Sequence, residues 1–321
     1  MFPKPIIIAS KCLGFAACRY NGQSLPDPVV EGLKKYVEFQ TVCPEVEIGL
    51  GVPREPIRII SEEGKLKLFQ PATGLEITSK MTGFADLFLG QIKDVDGFIL
   101  KFKSPSCGLK GVKVYPGREK SGSISTTSGF FGAEVLKRFA FYPVEDEGRL
   151  KNFGIRENFL TKLFIFAKFR NLKKTACMDK LVRFHTQNKL LLMAYDQKEL
   201  KNLGQIVANH EQKLVVEVVD LYEAHFFNAF LKQPRISTCS NVLLHAFGYF
   251  SKNIKSSEKK YFLETLEKYR AKKVPLSVPT AVIKSLIARF EEKYLSAQTF
   301  FNPYPEELLE VTDSGKGRDW G

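Results

Sequence analysis

The spacing of apolar residues changes near position 150, and this change limits the possible folds more than any other feature of the chain. Before it, short β-branched and aromatic runs alternate with Gly- and Pro-rich turns, as in PIIIAS at 5–10 and VEFQTV at 37–42. From Ile155 onward, apolar residues recur at i, i+3 and i+4, the spacing of amphipathic helices. The segment PVEDEGRLKNFG at 143–154 separates the two patterns. Two parts with different secondary structure are therefore predicted.

These patterns predict an α/β domain with cysteine-bearing loops, followed by an all-α domain. For the first part we expect strands at 5–10, 37–42 and 96–104 and helices at 27–38 and 78–92. For the second part we expect helices at 155–174, 178–196, 212–232, 241–254, 257–273 and 280–300. The predicted domains are 1–147 and 155–308, and the polar, Gly-rich residues 309–321 are predicted to form a disordered tail.

Three cysteines, Cys12, Cys43 and Cys107, each lie in a Gly/Pro-rich turn of the first domain. Cys12 and Cys43 follow predicted strands and Cys107 follows a third. Because ligands of α/β sheets bind at the carboxyl ends of strands, one crevice can collect all three thiols. Three thiolates leave one position of a metal or cluster iron open for a substrate. The spacing alone also fits buried packing cysteines, so both interpretations stay open.

The N-terminal sequence and the lengths of the apolar runs indicate the cell compartment. No export signal precedes Lys11, because the apolar run is too short, and no run approaches the length that spans a bilayer. We therefore expect a cytoplasmic protein with reduced thiols. Cys177 and Cys239 lie in the helical part and are predicted to be buried packing residues.

The net charge of +13 is concentrated in the second half of the chain. Residues 1–147 contain 19 Lys and Arg against 17 Asp and Glu, whereas residues 148–321 contain 29 against 18. Such asymmetry predicts that the helical part binds a polyanion such as nucleic acid, and the alternative is a solvated basic surface. The candidate phosphate contacts are Lys168, Arg170, Lys173, Lys174, Arg183 and Lys189.

Three segments of the first domain together resemble the signature of the thiouracil desulfidase family. They are CLGFAACRYNG at 12–22, CPEVEIGLGVPREP at 43–56 and KSPSCG at 103–108, and the resemblance extends over nearly all of 5–147. The resemblance implies a [4Fe–4S] cluster with one iron free of protein ligands. The implied cluster ligands are Cys12, Cys43 and Cys107, and the implied acid–base and positioning residues are Glu45 and Ser104.

These residue types suit removal of sulfur from a thiolated pyrimidine. A thiocarbonyl carbon becomes electrophilic when its sulfur is bound by a Lewis-acidic iron, and a nearby carboxylate can take the proton of an attacking water. Glu45 follows the ligand Cys43 by two residues. Expected substrate contacts are Arg19, Tyr20, Arg54 and Ser106.

Each of these roles has a structural alternative. Glu45 can cap a helix or pair with Arg54 or Arg19, and Ser104 can be a turn residue beside the equally polar Ser106. Cys18 lies in the same segment as Cys12, and as a fourth ligand it would close the cluster. We predict that Cys18 lines the pocket without binding iron.

The helical part resembles the uncharacterised domain that is often fused behind the desulfidase domain. The segments are LVRFHTQNKLLLMAYD at 181–196, NVLLHAFGYF at 241–250, YRAKKVPLSVP at 269–279 and YLSAQTFFNPYPEEL at 294–308. The fused arrangement resembles tRNA 4-thiouridine desulfidases, which implies thiolated tRNA as the partner. Two alternatives remain: a desulfidase of free thiouracil or thionucleosides, and a non-catalytic RNA-binding protein whose cysteines hold a structural metal or nothing.

Overall fold

The computed structural model describes residues 2–119 and 121–308, which form two compact units. The first contains residues 2–168 with 304–308, and the second contains 169–303. The predicted separation at 143–154 precedes this division, because Phe159, Leu163 and Phe164 pack into the core of the first unit. Within the described ranges, every helix is too short or too polar to cross a bilayer. The predicted tail at 309–321 lies outside the described residues.

The first unit is the predicted α/β domain. Its described strands are β1 (Ile6–Ser10), β2 (Glu38–Val42), β3 (Arg58–Glu62), β4 (Lys65–Gln70), β5 (Leu75–Glu76), β6 (Gly97–Leu100), β7 (Val112–Tyr115), β8 (Ser125–Thr127) and β9 (Val144–Asp146). Its described helices are α1 (Pro28–Leu33), α2 (Pro44–Glu47), α3 (Thr78–Gly90), α4 (Phe130–Arg138) and α5 (Phe153–Lys174), which continues into the second unit.

The main sheet has the strand order β2-β1-β6-β9, and each neighbouring pair is parallel. Its apolar residues alternate between two buried faces. Ile7 and Ile99 pack with α1 and α5 on one face, whereas Ile8 and Phe98 pack with α3 and α4 on the other. Because both faces are covered, the β1 sequence IIIA is apolar without interruption. The fold class predicted from the sequence is confirmed.

A second sheet with the order β5-β4-β3-β7-β8 was not expected from the sequence. Three predicted elements of the first unit also end earlier than expected, and one of them, the helix at 78–92, ends at Gly90. The predicted strand at 96–104 stops at Leu100, before Lys103, whose backbone is left-handed with φ 55°. The predicted helix at 27–38 ends at Leu33, because the chain then turns into β2.

The second unit is helical, as predicted. Its described helices after the end of α5 are α6 (Met178–Tyr195), α7 (Gln197–Ala208), α8 (Val215–Ala229), α9 (Ile236–Gly248), α10 (Ser256–Arg270), α11 (Ser277–Phe290) and α12 (Lys293–Ser296). Helix α7 was not predicted, and the predicted helix at 280–300 is divided at Glu291, which is left-handed with φ 49°. Cys239 is buried as predicted, whereas Cys177 is exposed before the first turn of α6.

The first turn of α4 packs directly against the loop that carries Cys107. A Cβ atom on Gly132 would lie 2.6 Å from the carbonyl oxygen of Gly108 and 2.7 Å from that of Cys107. The amide of Gly132 also donates a 3.0 Å hydrogen bond to the carbonyl oxygen of Ser106. Only glycine therefore allows this helix to approach the Cys107 loop so closely.

Substitution of two helical glycines by alanine is predicted to change the free energy of unfolding in opposite directions. Gly132→Ala is expected to lower the free energy of unfolding by about 1–3 kcal/mol, because the added methyl group forces α4 away from the loop. In α3, Gly83 has open space where a Cβ would lie, so Gly83→Ala is expected to raise that free energy by roughly 0.5–1 kcal/mol. Urea unfolding of both variants tests this difference, and equal stabilities would contradict it.

Candidate functional site

The three motif cysteines follow three neighbouring strands at the carboxyl edge of the main sheet. Cys12 follows β1, Cys43 follows β2 directly, and Cys107 lies in the loop after β6. In chain order the sheet first extends from β1 to β2 and then in the other direction to β6 and β9. Ligands of open α/β sheets bind outside the carboxyl ends of the strands at such a reversal. The topology therefore brings the three cysteines to one crevice.

Two hydrogen bonds hold the ends of these strands together. The amide of Lys11 donates to the carbonyl oxygen of Val42 at 2.9 Å, and the amide of Lys101 donates to Ser10 Oγ at 2.9 Å. The first joins the ends of β1 and β2, and the second joins the ends of β1 and β6. The loops with the cysteines therefore start from a fixed framework.

A cavity of about 200 Å³ lies at this edge, and four thiols line it: Cys12, Cys18, Cys43 and Cys107. In the described ranges, no three His, Cys, Asp or Glu side chains converge to hold a single metal ion. Cys18 is buried beside Cys43, whose Sγ lies 3.8 Å from the Cys18 carbonyl oxygen. Geometry thus places Cys18 with the other three thiols, and its predicted role as a non-ligand stays a prediction.

Burial and neighbouring thiols both affect the ionisation of the thiols in this cavity. Burial, followed by the charge of Cys43, raises the pKa of Cys12 to about 11, and burial with the same neighbour raises the pKa of Cys18 to about 12. Burial also raises the pKa of Cys107 well above its ordinary value. Iron would stabilise the thiolates that burial disfavours. A donor set of cysteines in a partly closed cavity is the set that iron–sulfur clusters use.

A hydrogen-bonded relay of Glu45, Ser106 and Ser104 lines the same cavity. The Oγ of Ser106 donates to Glu45 Oε1 at 2.6 Å and lies 2.9 Å from Ser104 Oγ. Ser104 Oγ also accepts from the amides of Cys107 at 3.1 Å and of Ser106 at 3.3 Å. Ser106 is fully buried, whereas Ser104 is partly exposed. The relay therefore connects Glu45, on α2, with the loop that carries Cys107.

Arg54 holds the other oxygen of Glu45. Its Nε and Nη2 lie 2.8 Å and 2.7 Å from Glu45 Oε2, and its Nη1 donates to the carbonyl oxygens of Cys18 and Gly51 at 3.0 Å each. The Arg54 side chain is 4% exposed. The predicted structural alternative for Glu45, an ion pair with Arg54, is thus present. Arg54 also lines the cavity, and its expected contact with substrate stays a prediction.

Arg54→Gln is expected to lower the free energy of unfolding by about 3 kcal/mol, because it leaves the Glu45 charge without its partner in a mostly buried setting. The double variant Glu45→Gln/Arg54→Gln is expected to be more stable than Arg54→Gln alone, since both charges are then removed. Urea unfolding of the two single variants and the double variant measures this coupling. Additive effects would show that the pair contributes nothing.

The rim of the cavity carries cations and aromatic rings. Arg19 lies over the ring of Tyr20, with 5.3 Å from its Cζ to the centroid, and Tyr20 is 41% exposed. Both line the cavity, and their contact with substrate stays a prediction. Lys101 also lines it and forms an ion pair with Glu147, whose Oε2 accepts from the amide of Phe102 at 2.8 Å.

The pair of Lys101 and Glu147 was not found from the sequence. Its members are separated by 46 positions and meet because β6 and β9 are neighbours in the sheet. Only the strand order could have indicated it.

The predicted phosphate contacts of the helical part have different surroundings. Burial lowers the pKa of Lys168, which belongs to the first unit and lies over the ring of Phe2. Lys173 forms a 2.6 Å ion pair with Glu223, whereas Arg183 and Lys189 are exposed on α6. Arg170 and Lys174 also have interaction partners.

Comparisons with known proteins match both parts of the chain. Residues 7–147 match the family model described as 2-thiouracil desulfurase, and residues 189–305 match a protein of unknown function, DUF1722. The uncharacterised protein YbbK of Bacillus subtilis (strain 168) is 34% identical over 154 residues, which are 46% of this chain and 99% of YbbK. The uncharacterised protein YbgA of Escherichia coli (strain K12) is 27% identical over 158 residues, 49% of this chain and 93% of YbgA.

A solved structure, that of the [4Fe-4S]-dependent thiouracil desulfidase TudS, is 31% identical and covers 46% of this chain and 93% of its own, with a TM-score of 0.37. The fold and site are those of an α/β domain with a thiol-lined crevice. The match to the family model and the similarity to YbbK show that the chain belongs to the 2-thiouracil desulfurase family. Both resemblances inferred from the sequence motifs are confirmed.

Proposed function

We propose that this protein removes the sulfur of 4-thiouridine in tRNA, producing uridine and sulfide. The observation that carries the proposal is the single cavity in which four thiols meet the relay of Glu45, Ser106 and Ser104. Cys12, Cys43 and Cys107 would hold a [4Fe–4S] cluster, as the motif resemblance implies. When bound, such a cluster supplies a Lewis-acidic iron that polarises the thiocarbonyl group.

Glu45 has the position and partners of the general base. Each of its oxygens has a fixed donor, Ser106 on Oε1 and Arg54 on Oε2, so the carboxylate has a defined orientation. A carboxylate oxygen has a second lone pair, which can accept the proton of a water that attacks the thiolated carbon. Its side chain is 13% exposed and lines the cavity, so a substrate in the cavity comes within its reach.

Ser104 is the serine with access to a substrate. Its hydroxyl accepts from two backbone amides and lies beside Ser106 Oγ, so it is held in one place at the cavity wall. A hydroxyl group can both donate and accept, which suits contact with the pyrimidine ring or the attacking water. Ser106 is buried against Glu45 and therefore orients the carboxylate.

The positive charge of the second unit supports the proposal of an RNA substrate. Residues 169–303 contain 22 Lys and Arg against 12 Asp and Glu, a net charge of +10. A free base offers no polyanion to such a unit, whereas the phosphates of a tRNA do. A base within folded RNA must be turned out of its stack to enter a cavity, and backbone contacts provide the binding energy for that change.

A desulfidase of free thiouracil or thionucleosides is the second candidate. The thiol-lined cavity suits this candidate as well as it suits a base on a tRNA, because in both cases only the thiolated ring has to reach the thiols. The chemistry in the cavity would be the same. The two candidates differ only in what lies beyond the thiolated base.

The test compares substrates on the full, iron-loaded chain under anaerobic conditions. Thiolated tRNA and free 4-thiouracil are incubated separately, and the loss of thione absorbance and the release of sulfide are followed. We expect kcat/KM to be at least about tenfold higher for tRNA and to fall with added salt for tRNA alone. Equal or better turnover of the free base would favour the second candidate. No turnover of either substrate would favour a non-catalytic RNA-binding protein.

A further inference from the structure

We propose that three cations at the rim of the thiol-lined cavity, Lys11, Arg19 and Lys103, bind the phosphates that flank the thiolated base. This inference rests on the proposed desulfidase function and specifies its substrate as a nucleotide within a strand. It names a phosphate-binding rim in the first unit itself, in addition to the charge of the helical unit.

The cations around the cavity divide into two groups. Five line it, and Glu45 is the one acidic residue that lines it within the described ranges. Arg54 and Lys101 are paired with Glu45 and Glu147. The other three, Lys11, Arg19 and Lys103, have no carboxylate partner among the described residues, so their charge remains available. Uncompensated cations around one opening focus a positive potential there and attract anionic ligands.

Lys103 also has an unusual backbone. Its φ is 55°, in the left-handed region, which costs a residue other than glycine about 1 kcal/mol. Such strain persists where the surrounding structure holds the backbone in place, and it is concentrated at ligand-binding sites. Lys103 lies between the end of β6 and the Cys107 loop, and its Nζ lies 4.9 Å from the ring centroid of Phe102. The conformation directs an exposed lysine to the cavity rim.

Aromatic rings accompany two of these cations. Arg19 lies over the exposed ring of Tyr20, and Lys103 lies over the ring of Phe102. Aromatic faces stack with unpaired bases, and adjacent cations contact the phosphates between them. A strand with one base inserted into the cavity would meet both kinds of contact at the rim. A free nucleoside has no phosphate and would therefore make none of the contacts with these cations.

The experiment measures the preference for phosphate in rim variants of the full, iron-loaded chain. Lys103→Gln, Arg19→Gln and the double variant are compared with wild type on 4-thiouridine, its 5′-monophosphate and thiolated tRNA. Lys113→Gln is the control, because Lys113 is an exposed lysine on β7 that does not line the cavity. The measured quantity is the ratio of kcat/KM for each phosphorylated substrate to that for the nucleoside.

We expect each rim substitution to lower the tRNA-to-nucleoside ratio by about fivefold and to reduce the salt dependence of tRNA turnover by about one counterion. A parallel fall for the monophosphate assigns the contact to the phosphate of the thiolated nucleotide itself. A fall for tRNA alone assigns it to neighbouring phosphates of the strand. Ratios within twofold of wild type for all variants, or an equal effect of Lys113→Gln, would overturn the proposal.

The experiment distinguishes an error in the proposed phosphate contacts from an error in the proposed desulfidase function. If wild type turns over tRNA efficiently and the rim variants have unchanged ratios, the proposed phosphate contacts are wrong and the proposed desulfidase function stands. If wild type turns over none of the three substrates, the affinity of a uridine-containing trinucleotide, measured by fluorescence anisotropy, still tests the rim. Rim variants must then bind about fivefold more weakly than Lys113→Gln; equal affinities would overturn the proposal in that case too.

Discussion

Cys107→Ala is expected to abolish iron binding and to lower desulfidase activity by about a thousandfold or more, equivalent to several kcal/mol of transition-state stabilisation. Cys107 is buried in the loop between Ser104 and α4, and its thiol faces the cavity shared with Cys12 and Cys43. Removing one of the three proposed ligands would leave iron with too few thiolates to be retained. Iron and sulfide content per chain after anaerobic reconstitution, together with visible absorbance, measures the loss.

Two other cysteines serve as controls for this result. Cys239→Ala removes a buried thiol from the helical unit and is expected to retain full iron content and activity. Cys18→Ala removes the fourth thiol of the cavity and is expected to retain iron, since Cys18 is predicted not to be a ligand. If Cys18→Ala loses iron as completely as Cys107→Ala, all four thiols are ligands and no iron is left open for the substrate.

Glu45→Gln is expected to lower kcat by about 10²–10⁴-fold while iron content stays at the wild-type level, because an amide cannot take the proton of the attacking water. The amide oxygen can still accept a hydrogen bond from Ser106. Because the substitution leaves the buried Arg54 charge without its partner, the free energy of unfolding is also expected to fall, as for Arg54→Gln. Rates with 4-thiouridine or thiolated tRNA, together with iron analysis and urea unfolding, separate the loss of a base from loss of the site.

Glu47→Gln is the matched control for this substitution. Glu47 lies two residues further along α2 but is exposed and does not line the cavity. Its substitution is expected to leave the rate within about twofold of wild type, as for surface substitutions in general. If Glu45→Gln retains most of its activity, the carboxylate is structural and its ion pair with Arg54 is its main role.

The sequence predicted the elements that bury continuous or periodic apolar runs. The run IIIA of β1 and the helical repeats from Ile155 onward carry their own periodicity, so their existence could be read directly. The β3–β4 hairpin was missed. Its turn is formed by Glu63 and Gly64 at φ 53° and 74°, and a glutamate there is a weaker turn signal than the asparagine that commonly precedes glycine.

Of the residues that line the cavity, only those that follow strands could be predicted to meet. Cys12, Cys43 and Cys107 come together because β1, β2 and β6 are neighbours and parallel. The hydrogen bond between Glu45 and Ser106 spans 61 positions and depends on how α2 packs against the loop that carries Cys107, which no local pattern encodes. The same holds for Arg54, whose bonds to the carbonyls of Cys18 and Gly51 depend on the packing of separate segments.

The most direct test of the account is turnover of thiolated tRNA by the iron-loaded chain in water labelled with oxygen-18. Replacement of a thiocarbonyl sulfur by a water oxygen needs no oxidant or reductant, and its products are one carbonyl and one sulfide. Mass spectrometry of the digested tRNA is predicted to find one oxygen-18 in each uridine formed, with one sulfide released per uridine and no added reductant consumed. Uridine without the label, or sulfur lost without release of sulfide, would contradict hydrolytic removal of sulfur at this site.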